Sequence, residues 1–99
     1  MTDIIGLAPR IRKKIKTCRL ADLRARRSYK SCEYIDIAWV KQALQKVNYK
    51  CVLCQVQLKL VDWNWLDGGQ FSIDRVNNSI AHVKSNCQMT CLKCNKEKH

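Results

Sequence analysis

The sequence predicts a small α+β domain, and three observations carry that expectation. The chain has 99 residues, 46% hydrophobic and 27% charged, which is the size and composition of one globular unit and not of a disordered tail or a multidomain enzyme. Residues 37–48 place apolar side chains at helical spacing, whereas 55–61 and 71–90 contain alternating stretches of strand type. Four of the seven cysteines form two Cys-x-x-Cys pairs, Cys51/Cys54 and Cys91/Cys94, a spacing that suits a metal-closed module.

The elements follow in order. Between Arg10 and Lys30 stand ten basic residues, Arg10, Arg12, Lys13, Lys14, Lys16, Arg19, Arg24, Arg26, Arg27 and Lys30, opposed only by Asp22. Ile11 and Ile15, followed by Leu20 and Leu23, make a narrow apolar stripe, so the stretch reads as helix interrupted by polar residues within a basic N-terminal arm covering 1–34. Residues 28–33 are a polar connection. Asp36 stands at an N-cap position, and Val40, Ala43, Leu44 and Val47 then line one face of a helix over 37–48. Val56, Leu58 and Leu60 alternate with Gln57 and Lys59 in a short strand over 55–61, and Asp67-Gly68-Gly69 breaks the chain after it. A second strand over 71–76, a turn at Asn77-Asn78-Ser79 and a returning strand over 82–90 make a hairpin. Residues 91–99 lack Gly and Pro and are rich in Lys and Glu, which predicts a final helix opened by the second cysteine pair. The expected organisation is the arm, 1–34, followed by a module, 35–99.

Charge and cysteine usage bound the function. Residues 1–50 carry 13 basic and 4 acidic residues and residues 51–99 carry 6 and 4, so most of the formal net charge of +11 is N-terminal. The ten basic residues less Asp22 leave nine net positive charges in 21 residues, and these repel one another unless a polyanion is near. Nucleic acid held through its phosphates, DNA in preference to RNA, is the expected partner; a solvated face or an acidic protein partner is the alternative. The longest run without Lys, Arg, Asp or Glu is eight residues, far below the roughly 20 of a membrane helix, so no membrane association is expected. The apolar patch of Ile4, Ile5 and Leu7 precedes its positive charge and is interrupted upstream by Asp3, which is not the order of a secretory signal. With an odd cysteine count, this points to a reducing intracellular compartment, cytoplasmic, nuclear or virus-associated, and not to secretion.

Two thiolates on each of two tight turns suit one tetrahedral ion, and borderline-soft Zn2+ is the usual occupant of four sulfurs. Ordinary buried thiols or a redox pair are the competing readings. The 36 residues between the pairs exceed a simple zinc ribbon, so the metal-closed loop must itself contain folded structure. Four thiolates leave no open coordination position, which makes the zinc structural. Cys18, Cys32 and Cys87 are left as small core or surface thiols.

Around the second pair stand Phe71-Ser72-Ile73-Asp74-Arg75-Val76-Asn77-Asn78, then Asn86-Cys87-Gln88, then Cys91-Leu92-Lys93-Cys94-Asn95 and the terminal His99. This combination resembles the HNH endonuclease family, the ββα-metal fold, in the subtype that carries a four-cysteine zinc, over about residues 35–99. The resemblance implies a divalent cation, Mg2+ or Mn2+, held against a scissile nucleic-acid phosphate and hydrolysis of that phosphodiester. It implies Asp74 as the strand ligand and Asn95 as the helix ligand. His99, four residues on, falls on the same face of the expected helix and is a candidate third ligand of that cation, and Asn86 is the residue that the resemblance implies braces the hairpin loop.

The departure is Arg75, which stands where the family places its general-base His. Arginine cannot accept a proton near neutrality. Either His82 across the hairpin takes that role, or a metal-bound hydroxide attacks directly, or catalysis is lost and a binding or structural module remains; Arg75 itself suits a phosphate oxygen. Plainer readings stand beside these: Asp74 as a turn residue, His82 as a solvated loop side chain, and Trp39, Trp63 and Trp65 as packing residues.

Overall fold

The basic stretch forms one continuous helix whose inner edge is apolar. The structure, a computed structural model, describes residues 4–98. Helix α1 (Leu7–Arg24) buries Leu7, Ile11 and Ile15 at intervals of one turn, and Pro9 lies in its first turn, where its missing N–H costs no helical bond. Polar residues do not interrupt it; Thr17 simply turns its hydroxyl back to the Lys13 carbonyl at 3.1 Å. Leu20 and Leu23 leave the expected stripe and are 43% and 72% exposed, while Asp22 is the buried residue of that turn. Beyond Arg24 the chain reverses through Arg26, whose φ is 57°, and the N–H groups of Arg26 and Arg27 close on Leu23 O and Asp22 O in a Schellman turn.

Helix α2 (Ile37–Lys46) starts where Asp36 Oδ1 accepts the Trp39 N–H at 2.8 Å. It buries Val40 and Leu44 and ends in the same kind of turn, with Asn48 and Tyr49 left-handed and their N–H groups on Gln45 O and Leu44 O. That reversal delivers the chain to Cys51.

Strands β1 (Phe71–Arg75) and β2 (Cys87–Cys91) pair antiparallel with Phe71 opposite Cys91 and Arg75 opposite Cys87, and helix α3 (Leu92–Lys98) follows β2 directly. The described residues therefore form a small α+β fold of three helices and one two-stranded sheet.

Two sequence expectations need correction. No strand forms over 55–61: Val56 O is taken up by the Cys51 N–H and the Leu58 N–H by Tyr49 O, leaving only isolated bridges from Gln57 to Lys50 and from Lys59 to Gln70. The returning strand begins at Cys87 and not near 82, because a helical turn at Lys84–Asn86 and a loop before it replace extended pairing. The basic stretch is also a layer of the fold. Leu7, Ile11 and Ile15 join Tyr34, Val40, Leu44, Phe71, Ile73 and Met89 in one core, since a helix with such a stripe must bury it somewhere.

Candidate functional site

The four cysteines converge from three elements. Cys51 and Cys54 follow the reversal after α2, Cys91 ends β2, and Cys94 lies in the first turn of α3. Their Sγ atoms all lie within 4.8 Å of one another, and Cys54 and Cys91 are 3.8 Å apart. A tetrahedron with Zn–S bonds of about 2.3 Å has edges of about 3.8 Å, whereas a disulfide needs about 2.05 Å. The seven cysteines are all unbridged. Leu53 N–H points at Cys51 Sγ (3.4 Å) and Cys94 N–H at Cys91 Sγ (3.5 Å), the polarity that a thiolate favours. Burial pushes the Cys51 thiol up, but N–H groups of Cys54, Cys91 and Leu53 outweigh it and hold it below the ordinary thiol value. Val52 N–H donates to Met89 O at 3.1 Å and fastens this knuckle to β2. The four residues could hold a metal ion such as zinc, and among the described residues no other group of three or more His, Cys, Asp or Glu comes together in this way.

The hairpin residues divide between two sides. Successive residues of β1 face opposite ways, so Ser72 and Asp74 share the side toward α3. Asn95 Nδ2 donates to Ser72 Oγ at 2.7 Å, and one turn later Lys98 Nζ donates to Asp74 Oδ2 at 3.0 Å and to Arg75 O at 2.8 Å. Gln88 Nε2, opposite on β2, also donates to Asp74 Oδ2 at 2.8 Å. The residue of α3 that meets Asp74 is thus Lys98, whose ammonium sits on the carboxylate expected from the sequence to hold a divalent cation; Asn95 meets Ser72. His99 lies outside the described residues. Arg75 NH1 donates to the carbonyls of Asn78 and Ile80, so its guanidinium closes the hairpin loop.

Asn86 is a buried brace of that loop. Its Oδ1 accepts the Asn77 N–H at 2.9 Å, and its Nδ2 donates to the carbonyls of Asn77, Ile80 and Ala81 at 3.0 to 3.2 Å. His82 is buried, not solvated, and its Nδ1 lies 3.0 Å from Asp22 Oδ2 on α1. Burial drives the His82 proton off, against the opposing pull of Asp22, so the ring is neutral near pH 7 and donates from Nδ1 to the carboxylate.

The basic side chains are not equivalent. Arg12, Lys13, Lys16, Arg19, Arg24, Arg26 and Lys30 are exposed, whereas Arg10, Lys14 and Arg27 are half-buried and committed. Arg27 Nε pairs with Asp22 at 2.7 Å, Lys14 Nζ donates to Gln70 Oε1 at 2.6 Å, and Arg10 lies 4.4 Å from the Trp63 ring centroid. Burial lowers Lys14 to about 8. Trp63 is half-buried against Phe71, while Trp65 is 53% exposed with Lys13 at 4.6 Å from its centroid.

Sequence reasoning missed Asp22, Gln70 and Lys98. Asp22 had a signal, because it falls seven residues after Ile15, two helical turns along the buried edge. Lys98 had none, since its position on Asp74 depends on how α3 lies against β1. No family model, curated protein or solved structure matches this chain.

Proposed function

We propose that this protein is a zinc-stapled module with an HNH-like hairpin and helix that binds nucleic acid, DNA above all, through its phosphates along α1. The carrying observation is that six exposed basic side chains stand on α1 and the turn after it, with Lys30 following in the connection, while the opposite edge of the helix is buried in the core. Such a face is pre-organised: phosphates binding it release counterions without first ordering a chain. Zinc is the ion for four thiolates, and its role is to join the end of α2 to β2 and α3. Binding of labelled DNA measured over a salt series tests the reading. Changing Arg12, Lys16 and Arg19 together to Gln should flatten the slope of log affinity against log salt by about 0.9 for each phosphate that is no longer neutralised. Wild-type protein without salt-dependent affinity for any nucleic acid would overturn it.

Hydrolysis of a phosphodiester is the second reading, favoured by the buried Asp74 carboxylate facing the helix that carries Asn95, and by the loop brace at Asn86. In this reading Mg2+ or Mn2+ must displace Lys98 from Asp74. Arg75 cannot serve as base, and His82 is held by Asp22 on α1 while Asp74 is held from α3. Plasmid nicking with each cation, comparing wild type with Asp74→Ala and Lys98→Ala, separates the two readings. A nuclease loses all nicking in Asp74→Ala and gains cation sensitivity in Lys98→Ala; a binding module nicks in none.

A further inference from the structure

We propose that Trp65 is a wedge between two neighbouring unpaired nucleotides, so that the ligand of the basic helix is single-stranded or locally opened nucleic acid. This deepens the reading of α1 as a nucleic-acid face and rests on it. Trp65 presents a large aromatic surface, 53% exposed, beside Leu66, 90% exposed; the exposed Lys13 ammonium lies 4.6 Å from its ring centroid and must give way to a base that stacks on that side. The loop that carries it is held firmly. Buried Gln70 donates from Nε2 to the carbonyls of Asn64 and Trp65 at 3.2 Å and of Asp67 at 3.0 Å, while its Oε1 accepts from Lys14. Asn64 Oδ1 accepts the Leu66 N–H at 2.9 Å, and Asp67 Oδ1 accepts the Gly69 N–H at 2.9 Å. A loop backbone held in this way has little main-chain freedom to lose when something stacks on the indole it carries.

Trp65 is the wall shared by two clefts. One, of about 580 Å³, lies against Arg10 and Lys13 of α1. The other, of about 340 Å³, runs between α1 and α3 past Lys14, Ser72, Asn95 and Lys96. Both volumes fall within the roughly 300–1,000 Å³ range of small-ligand sites, and each cleft has one exposed cation for a phosphate, Lys13 in the first and Lys96 in the second. Every base has a π face that stacks on an aromatic ring whatever its sequence, but in a duplex those faces are already covered, so only an unpaired or extruded base can use Trp65.

The test compares wild type, Trp65→Ala and Trp65→Phe on labelled single strands and on duplexes of the same sequence, with 2-aminopurine strands reporting stacking directly. Wild type should prefer the single strand and quench 2-aminopurine. Trp65→Ala should lose about tenfold or more on the single strand, keep its duplex affinity and salt slope, and abolish the quench; Trp65→Phe should restore most of both. A wild-type preference for duplex, an unquenched probe, or equal losses on both ligands in a natively folded Trp65→Ala would overturn the wedge alone. Absence of any nucleic-acid binding by wild type would overturn the broader reading with it.

Discussion

Asp22 has no exposed side-chain surface, yet it keeps its charge because its two oxygens accept four hydrogen bonds. Arg27 Nε takes Oδ1, while Tyr34 Oη and both the backbone N–H and Nδ1 of His82 converge on Oδ2, each within 3.0 Å. Burial pushes the carboxyl up, but the N–H of His82 and the side chains of Arg27, Tyr34 and His82 overcome it and hold Asp22 at about 2. A folded value below the unfolded 3.8 means that the contribution is complete above roughly pH 4 and is lost as pH falls toward 2. His82 acts in the same direction at higher pH. Its folded value lies below 6.5, so the unfolded chain takes up the proton first and stability begins to fall as pH drops below that value. Asp22→Asn should cost about 3 kcal/mol at neutral pH, because it leaves buried donors without a charged partner, and should weaken the acid dependence. Urea midpoints at pH 7 and pH 3 check this; unchanged midpoints at both would remove Asp22 from its central place. At this scale the cysteines were legible because their ligand spacing is local in sequence. Asp74 was legible as a residue but not as a partner of Lys98, since a pairing between a strand and a helix 24 positions apart follows from packing that no local pattern encodes.

Two helices end on left-handed residues that are not glycine, Arg26 after α1 and Asn48 and Tyr49 after α2, so the reversals rest on the hydrogen bonds they close. Glycine is the usual signal of such an end, and its absence is why the sequence placed the end of α2 only approximately. The 55–61 segment alternates as a strand does, but its backbone groups are consumed by the cysteine knuckle and by Tyr49 O. Periodicity reports which side chains face inward; it does not report where carbonyls go. The sheet has two strands, and a two-stranded sheet is marginal in water by itself, so a metal ion held by the four cysteines at the junction of β2 and α3 would supply the restraint that strand pairing lacks. Purified protein should carry about one tightly held zinc per chain, and Cys51→Ser or Cys91→Ser should lose both metal and cooperative unfolding. A fully folded, cooperative, zinc-free protein would refute the staple. α3, seven residues long, is too short to persist alone and is held by Cys94, Asn95 and Lys98, so it should melt with the metal.

For the whole molecule, composition suggested a basic arm attached to a module, and charge alone does not distinguish a tether from a packed layer. The buried edge of Leu7, Ile11 and Ile15 decides it, together with Asp22, whose partners Tyr34 and His82 lie beyond the linker. The exposed basic face and the core are two sides of one helix. The peptide bond between them has little to do with that union. Residues 28–33 are exposed throughout, and the attachments of α1 on either side of this stretch are non-covalent. The fold therefore behaves as a helix docked in a receptor that happens to share its chain. A native chain nicked by trypsin at Lys30 should remain one particle on gel filtration, and the separated pieces should reassemble with zinc as complementing fragments. Once nicked, the melting midpoint should acquire a dependence on concentration that the intact chain lacks. Immediate separation of the pieces under native conditions would show that the buried edge of α1 is too weak to hold without its covalent link.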